Sequence, residues 1–386
     1  MQQQIIISEQ SQAFRRRVFP DTSELDWSDW RWQLRNRFRD VESISRVIDL
    51  SDDERRAIRR RQGMLPLGVT PYYASLLDAN DPLQSLRRTK IPSMAEFDRS
   101  PGEVADPLGE DAHSPVPGIV HTYPDKVLFL VSDFCATYCR YCTRGRMVGG
   151  GEFPANKLVW EGALDYIRKN TGIRDVLLSG GDPLILSDER LDWLLSRLQA
   201  IEHVEILRIG TKVPAVLPQR VTPELLNVLR RYHPLFMSLH FVHPDELTKE
   251  VGQACGELAN IGIPLAGQMV LLKGVNNQPE TIMRLCNGLL KIRVKPYYLH
   301  QCDPIEGSGH FRTSVSEGIK ILEYLHGRTT GYAIPMYMID APGGGGKVPI
   351  SPNYVVGRDG DDLLLRNYMG EEYRYWDPEN SIGRSI

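Results

Sequence analysis

The pattern of apolar and polar positions changes character near residue 126. From there, short branched apolar runs alternate with longer segments in which apolar residues recur every three or four positions. The run 127–134 (VLFLVSDF) is short, branched and aromatic, and predicts a buried parallel strand. Further strands are predicted at 174–179 (RDVLLS), 203–209 (HVEILRI), 235–241 (LFMSLHF), 263–271 and 293–300. The helical period predicts helices at about 158–170, 187–200, 222–232, 245–261, 279–291 and 314–327. Such alternation implies right-handed crossovers and a parallel sheet. Six units fall short of the eight that close a full barrel, so the expected fold class is α/β, a partial, open (β/α)6 barrel. A last strand, 333–340, leads into a glycine-rich loop.

Before the barrel the pattern is helical. Three tryptophans at 27, 30 and 32, followed by Leu34, recur at spacings of three and four, as on one helix face. They are expected to pack onto another surface or subunit. Ser51-Asp-Asp-Glu54 has the form of a capping box opening the next helix. From 96 to 125, stretches such as Asp106-Pro-Leu-Gly and Ser114-Pro-Val-Pro-Gly predict an extended connection. The expected division is a helical region at 1–95, the connection at 96–125, the barrel at 126–330 and a C-terminal segment at 331–386.

Composition narrows the class. The 386 residues suffice for one large or two modest cores, and a formal charge of −3 gives no case for nucleic-acid or anionic-membrane partners. No apolar run approaches 18 residues and the N-terminus lacks a signal pattern, so a soluble, cytoplasmic chain is expected. The helical preface suggests subunit packing, hence a homo-oligomer. Six cysteines, three of them clustered, fit a reducing compartment better than a disulfide framework.

The clustered cysteines, Cys135, Cys139 and Cys142, follow the first barrel strand, where such folds place their chemistry. Three adjacent thiolates can ligate zinc or three irons of a [4Fe–4S] cluster. Structural zinc needs a fourth protein ligand, and the next candidates, His121 and Cys255, lie outside the loop, so a cluster with one open iron fits better. Later strand ends carry Ser179-Gly180-Gly181-Asp182, His240, Gln268 and Asp303. Two glycines permit close backbone approach to a ligand, and equally a plain strand-to-helix turn. Asp340-Ala-Pro-Gly-Gly-Gly-Gly-Lys347 lacks the hydroxyl and helix of a phosphate loop, because Val348-Pro349 follow the lysine. A lysine on a slim glycine loop suits a carbonyl partner such as pyridoxal phosphate (PLP), the alternative being a solvated glycine-rich hairpin.

The cysteine spacing, with Tyr141 before the third cysteine, resembles the radical S-adenosylmethionine (SAM) superfamily. Added to it are Cys142-Thr-Arg144-Gly-Arg, SGGD, RIGTKVPAVLPQRVTPEL (208–225), Gln301-Cys-Asp303, HFRT (310–313), DAPGGGGK (340–347) and DWSDWRWQLRNR (26–37). Together these resemble the lysine 2,3-aminomutase family of radical SAM, PLP-dependent enzymes, from about residue 20 to 370.

The resemblance implies that Cys135, Cys139 and Cys142 hold a [4Fe–4S] cluster, that Ser179, Gly180, Gly181, His240 and Gln268 contact SAM, and that Lys347 carries PLP. It implies Arg144 as the clamp on the substrate α-carboxylate and Asp303 and Asp340 as acceptors for the distal ammonium of lysine. The implied reaction is isomerisation of L-lysine to β-lysine through a 5′-deoxyadenosyl radical, with flavodoxin or ferredoxin as electron donor. Arginine is the alternative substrate, and a lysine on a protein partner a more distant one.

Three departures from the family bear on this. No cysteine follows Cys302 and Gln278 stands where a partner ligand is expected, so no structural zinc is expected. Thr122 and Lys126 replace two arginines that help bind the cofactor phosphate, and His300 replaces a tyrosine near the substrate aspartates.

Overall fold

The computed structural model describes residues 6–60, 65–149 and 156–377. Its centre is a nine-stranded sheet whose strands neighbour one another in chain order. They are β1 (Ile119–Tyr123), β2 (Lys126–Ser132), β3 (Asp175–Gly180), β4 (Ile206–Thr211), β5 (Leu235–His240), β6 (Leu265–Leu271), β7 (Lys295–Gln301), β8 (Met336–Ala341) and β9 (Gly346–Ile350). From β2 to β8 every pairing is parallel; β1 and β9 add antiparallel edges. Each parallel strand begins within three residues of its predicted start. The run of branched residues decides this, because a strand covered by helices on one face and by cavity or core on the other has little polar alternation.

Crossover helices Lys157–Lys169, Asp188–Gln199, Pro223–Leu229, Lys249–Asn260, Pro279–Lys291 and Val315–Leu325 cover the outer face. Ser187, Thr222, Thr248 and Ser314 cap four of them by accepting a backbone N–H from the first turn. A sheet that never reverses its order must curl, and here its edges meet. The Tyr123 hydroxyl on β1 accepts the Lys347 N–H on β9 at 2.7 Å. The result is a nearly closed barrel with one unsealed seam.

The structure differs from the sequence expectation in several places. Strand β1 lies inside the predicted extended connection; its five residues are too few, and too closely flanked by proline and glycine, to announce themselves. The tryptophan helix breaks at Asp29, which leaves helical geometry (ψ 113°) and caps a new helix by accepting the N–H groups of Arg31 and Trp32. Trp27 thus belongs to Glu24–Ser28, and Trp30 and Trp32 to Trp30–Arg35. The surface these rings cover belongs to the same chain. Trp27 is fully buried, and Trp30 packs against the buried Arg220 guanidinium at 4.6 Å. The Ser51–Glu54 capping box forms as read, with both reciprocal bonds present. Beyond β9 a small antiparallel sheet follows: β10 (Val355–Asp359), β11 (Asp362–Arg366) and β12 (Glu372–Trp376). Residues 378–386, on which the zinc expectation also bears, lie outside the described residues. Among the described residues no helix is long and apolar enough to cross a membrane.

Candidate active site

The cysteine loop is an irregular segment after β2, and it is held from outside by the N-terminal helical region. Arg37 donates to the Cys135 carbonyl at 2.8 Å and lies over the Phe134 ring. The Tyr138 N–H donates to Gly68 and the Arg140 N–H to Thr89. Arg140 is itself buried in a bidentate pair with Glu96 and also donates to the carbonyls of Leu65 and Pro66. A loop with little regular backbone pairing is thereby fixed by charge-assisted bonds.

The loop is also pinned by β3. The Gly181 N–H donates to Ser132 O at 2.5 Å, and the Asp182 N–H to Phe134 O at 2.8 Å. A Cβ on Gly180 (φ 120°) would overlap the Ser132 carbonyl oxygen, and one on Gly181 the Phe134 carbonyl oxygen. Both glycines are therefore required for backbone-to-backbone approach. The Gly181 amide is engaged within the fold, which leaves its Cα edge facing the cavity.

That cavity, of about 670 Å³, opens at the carboxyl ends of the parallel strands and lies within the range of small-molecule sites. Cys135, Cys139, Cys142 and Arg144 line it from the first loop, Ser179, Gly180 and Gly181 from β3, His240 from β5 and Gln268 from β6. Asp303 enters after β7, Asp340 from β8 and Lys347 from β9. Every residue that the resemblance assigns to the cluster, SAM, PLP or substrate thus lines one space, while His121 and Cys255 do not. His240 is stacked on Tyr141 and shares a hydrogen bond with its hydroxyl at 2.9 Å. Burial, aided by Lys212, Lys90 and His300, holds His240 well below the usual imidazole range, so it is neutral.

Another wall of the cavity is built by a hairpin. Gly343, Gly344 and Gly346 adopt positive φ (67°, 85° and 80°), so the chain reverses tightly and pairs Lys347 opposite Asp340. The slim loop expected from the sequence is a closed hairpin, seated against residues 107–113 by the Gly343 N–H to Pro107 bond and by the packing of Gly344 on His113. Lys347 Nζ lies 2.7 Å from Asp340 Oδ1, and His300 Nδ1 lies 3.1 Å from Oδ2. Burial alone would raise Asp340, but His300 and Lys347 outweigh it and hold the carboxyl to about 2. Among the described residues Asp303 has no such hydrogen-bonded partner, and the charges of Lys347 and Arg312 only partly offset its burial. Burial, then the charge of Asp340, pushes it up to about 7.

Two contributors escaped the sequence reading. Glu110, inside the proline- and glycine-rich connection, takes the Nε edge of Arg144: Nε lies 2.9 Å from Oε2 and Nη2 2.6 Å from Oε1. Arg144 Nη1 donates to Ser179 Oγ at 3.1 Å. Burial alone would lower the Arg144 pKa, but Glu110 outweighs it and raises it. Of the five guanidinium N–H groups, Glu110 and Ser179 take three, which leaves one on Nη1 and one on Nη2 for a second carboxylate. Arg208, paired with Asp175 at 2.7 Å, is the other, and lines the cavity with Thr122 and Lys126. Neither had a local signal, since both act through partners more than thirty positions away.

The donor set fits an iron–sulfur cluster. Among the described residues no three His, Cys, Asp or Glu side chains converge as a single metal ion requires. A cluster needs no such point, because each thiolate takes its own iron. All three thiols are free and face the cavity. The fit to PLP rests on Lys347, whose amine reaches the cavity 5.9 Å from the centre of the Tyr298 ring.

A curled parallel barrel with a three-cysteine loop after its first parallel strand defines a radical SAM protein, and residues 129–286 match the model of the Radical SAM superfamily. Residues 322–385 match the model described as Lysine-2,3-aminomutase. The chain is 48% identical over 368 residues to the L-lysine 2,3-aminomutase of Clostridium subterminale, covering 95% of this chain and 88% of that one. It is likewise 48% identical to that of Methanococcus maripaludis, covering 93% and 84%. The glutamate 2,3-aminomutase of Clostridioides difficile is 43% identical, with 90% and 82% covered. The chain belongs to the lysine 2,3-aminomutase family.

Proposed function

We propose that this protein is a radical SAM, PLP-dependent 2,3-aminomutase that converts L-lysine to β-lysine. The observation that carries the substrate is that the carboxylates Asp303 and Asp340 line the same cavity as the Arg144 guanidinium. Overall similarity does not fix the side-chain charge, since a glutamate 2,3-aminomutase is nearly as similar as the lysine enzymes. Two carboxylates would repel the extra carboxylate of glutamate and pair a desolvated ammonium.

When bound, the cluster and SAM supply a 5′-deoxyadenosyl radical and PLP supplies the group on which the α-amine migrates. The chain does the rest. Cys135, Cys139 and Cys142 ligate three irons; Ser179, Gly180, Gly181, His240 and Gln268 line the SAM subsite; Lys347 carries PLP. Arg144, oriented by Glu110, offers its remaining N–H groups to the α-carboxylate while Asp303 and Asp340 take the side-chain ammonium, so the amino acid is held at two points and its β-carbon has a fixed place. The enclosing barrel limits water near the radical. A small flavodoxin- or ferredoxin-like protein supplies the electron.

The test is anaerobic reconstitution with SAM, PLP, reductant and L-lysine. β-Lysine is the expected product, and Lys347→Ala is expected to lose both product and PLP absorbance. SAM cleavage without any β-amino acid would overturn the reading.

A further inference from the structure

Behind Cys139 lies a buried cluster of charges that no step above uses. Lys90 is 1% exposed, and its Nζ has the Cys139 sulfur as hydrogen-bond acceptor at 3.1 Å, with the Tyr73 ring 5.0 Å away. Lys212, buried beside it, donates to Glu246 at 2.7 Å and to the His240 carbonyl at 3.2 Å. Glu246 is fully buried and its oxygens are already occupied, Oε1 by Lys212 and the Tyr73 hydroxyl and Oε2 by the Val242 N–H. The group therefore sets two amine side chains, Lys90 and Lys212, against one carboxylate. A buried ammonium without a carboxylate of its own is costly unless an anion lies against it. The anion must come from the sulfur side.

We infer that Lys90 is a positioning residue for the iron–sulfur cluster: its N–H···S bond to Cys139 holds that ligand's sulfur and places a positive charge beside the cluster. The inference rests on the cluster assigned above. Reduction adds an electron to the cluster, so a nearby cation favours the reduced form and raises the potential. Even at an effective dielectric near 20, a unit charge a few ångströms away shifts such an equilibrium by roughly tenfold or more.

The test is a series at this position, Lys90→Arg, Lys90→Gln and Lys90→Met, in anaerobically reconstituted protein. Iron and sulfide per chain establish loading; if the wild type itself holds no cluster, the assignment of Cys135, Cys139 and Cys142 fails before Lys90 is tested. In loaded protein the potential is read by a redox titration followed by electron paramagnetic resonance. Lys90→Arg is expected to keep the wild-type potential. Lys90→Gln, which keeps a donor and loses the charge, and Lys90→Met, which loses both, are expected to move it to more negative values. A tenfold change corresponds to about 59 mV for one electron. Neutral variants with full iron content and an unchanged potential would overturn the inference.

Discussion

Asp303 and Asp340 face one cavity and yet titrate far apart, at about 7 and about 2. An Asp303 carboxyl raised by burial and by Asp340 costs the empty fold stability. The unfolded chain releases this proton near pH 4 and the folded one does not, so the penalty grows from there to about pH 7 and is then constant. Asp303→Asn is therefore expected to stabilise the empty protein most at pH 8, by at most about 4 kcal/mol, and progressively less toward pH 4, read as melting temperature against pH. A melting difference independent of pH would contradict it. Substrate reverses the preference, since an ammonium favours the ionised form. KM for lysine is expected to fall as pH rises through about 7 in steady-state assays. Beside Arg144, Glu110→Gln should raise KM for the amino acid roughly tenfold, the loss of one charge-assisted bond, while kcat changes less. The cysteines, Arg144 and Lys347 were legible as candidates because cysteine spacing, DAPGGGGK and Cys142-Thr-Arg144 are local strings; Glu110 was not, because its meaning lies in a contact with Arg144.

At the scale of elements, the parallel strands and their helices were legible since each carries its own period, and the junctions between them were not. The SGGD turn, equally a ligand loop or a structural turn from spacing, packs its two glycines on the backbone after β2. Gly181→Ala is expected to push the cysteine loop outward, lowering stability by about 1–3 kcal/mol and reducing iron bound per chain. Wild-type iron content with an unchanged melting temperature would show that the loop tolerates the shift. Strands β1 and β9 were missed for a common reason. Both are short edges in proline- and glycine-rich sequence, and Pro349 is acceptable only because β9 is an edge strand. Pairing, which sequence periodicity does not report, makes them strands.

For the whole molecule, the N-terminal helices were legible as helices and not as what they do. Arg37, Thr89, Lys90 and Glu96 converge on the cysteine loop from a region that composition alone reads as a scaffold. The barrel thus supplies one wall of the site and the helical region fixes the loop that closes it, with the β8–β9 hairpin bringing Lys347 to Asp340. On the proposed reading, this arrangement selects an amino acid with a carboxylate at one end and a cation at the other. The most direct measurement supplies anaerobically reconstituted enzyme with equimolar, differently labelled lysine, arginine and glutamate, and separates the β-amino acids by mass. β-Lysine as the dominant product is the predicted result. β-Glutamate in its place would contradict the assignment of Asp303 and Asp340 as the side-chain subsite.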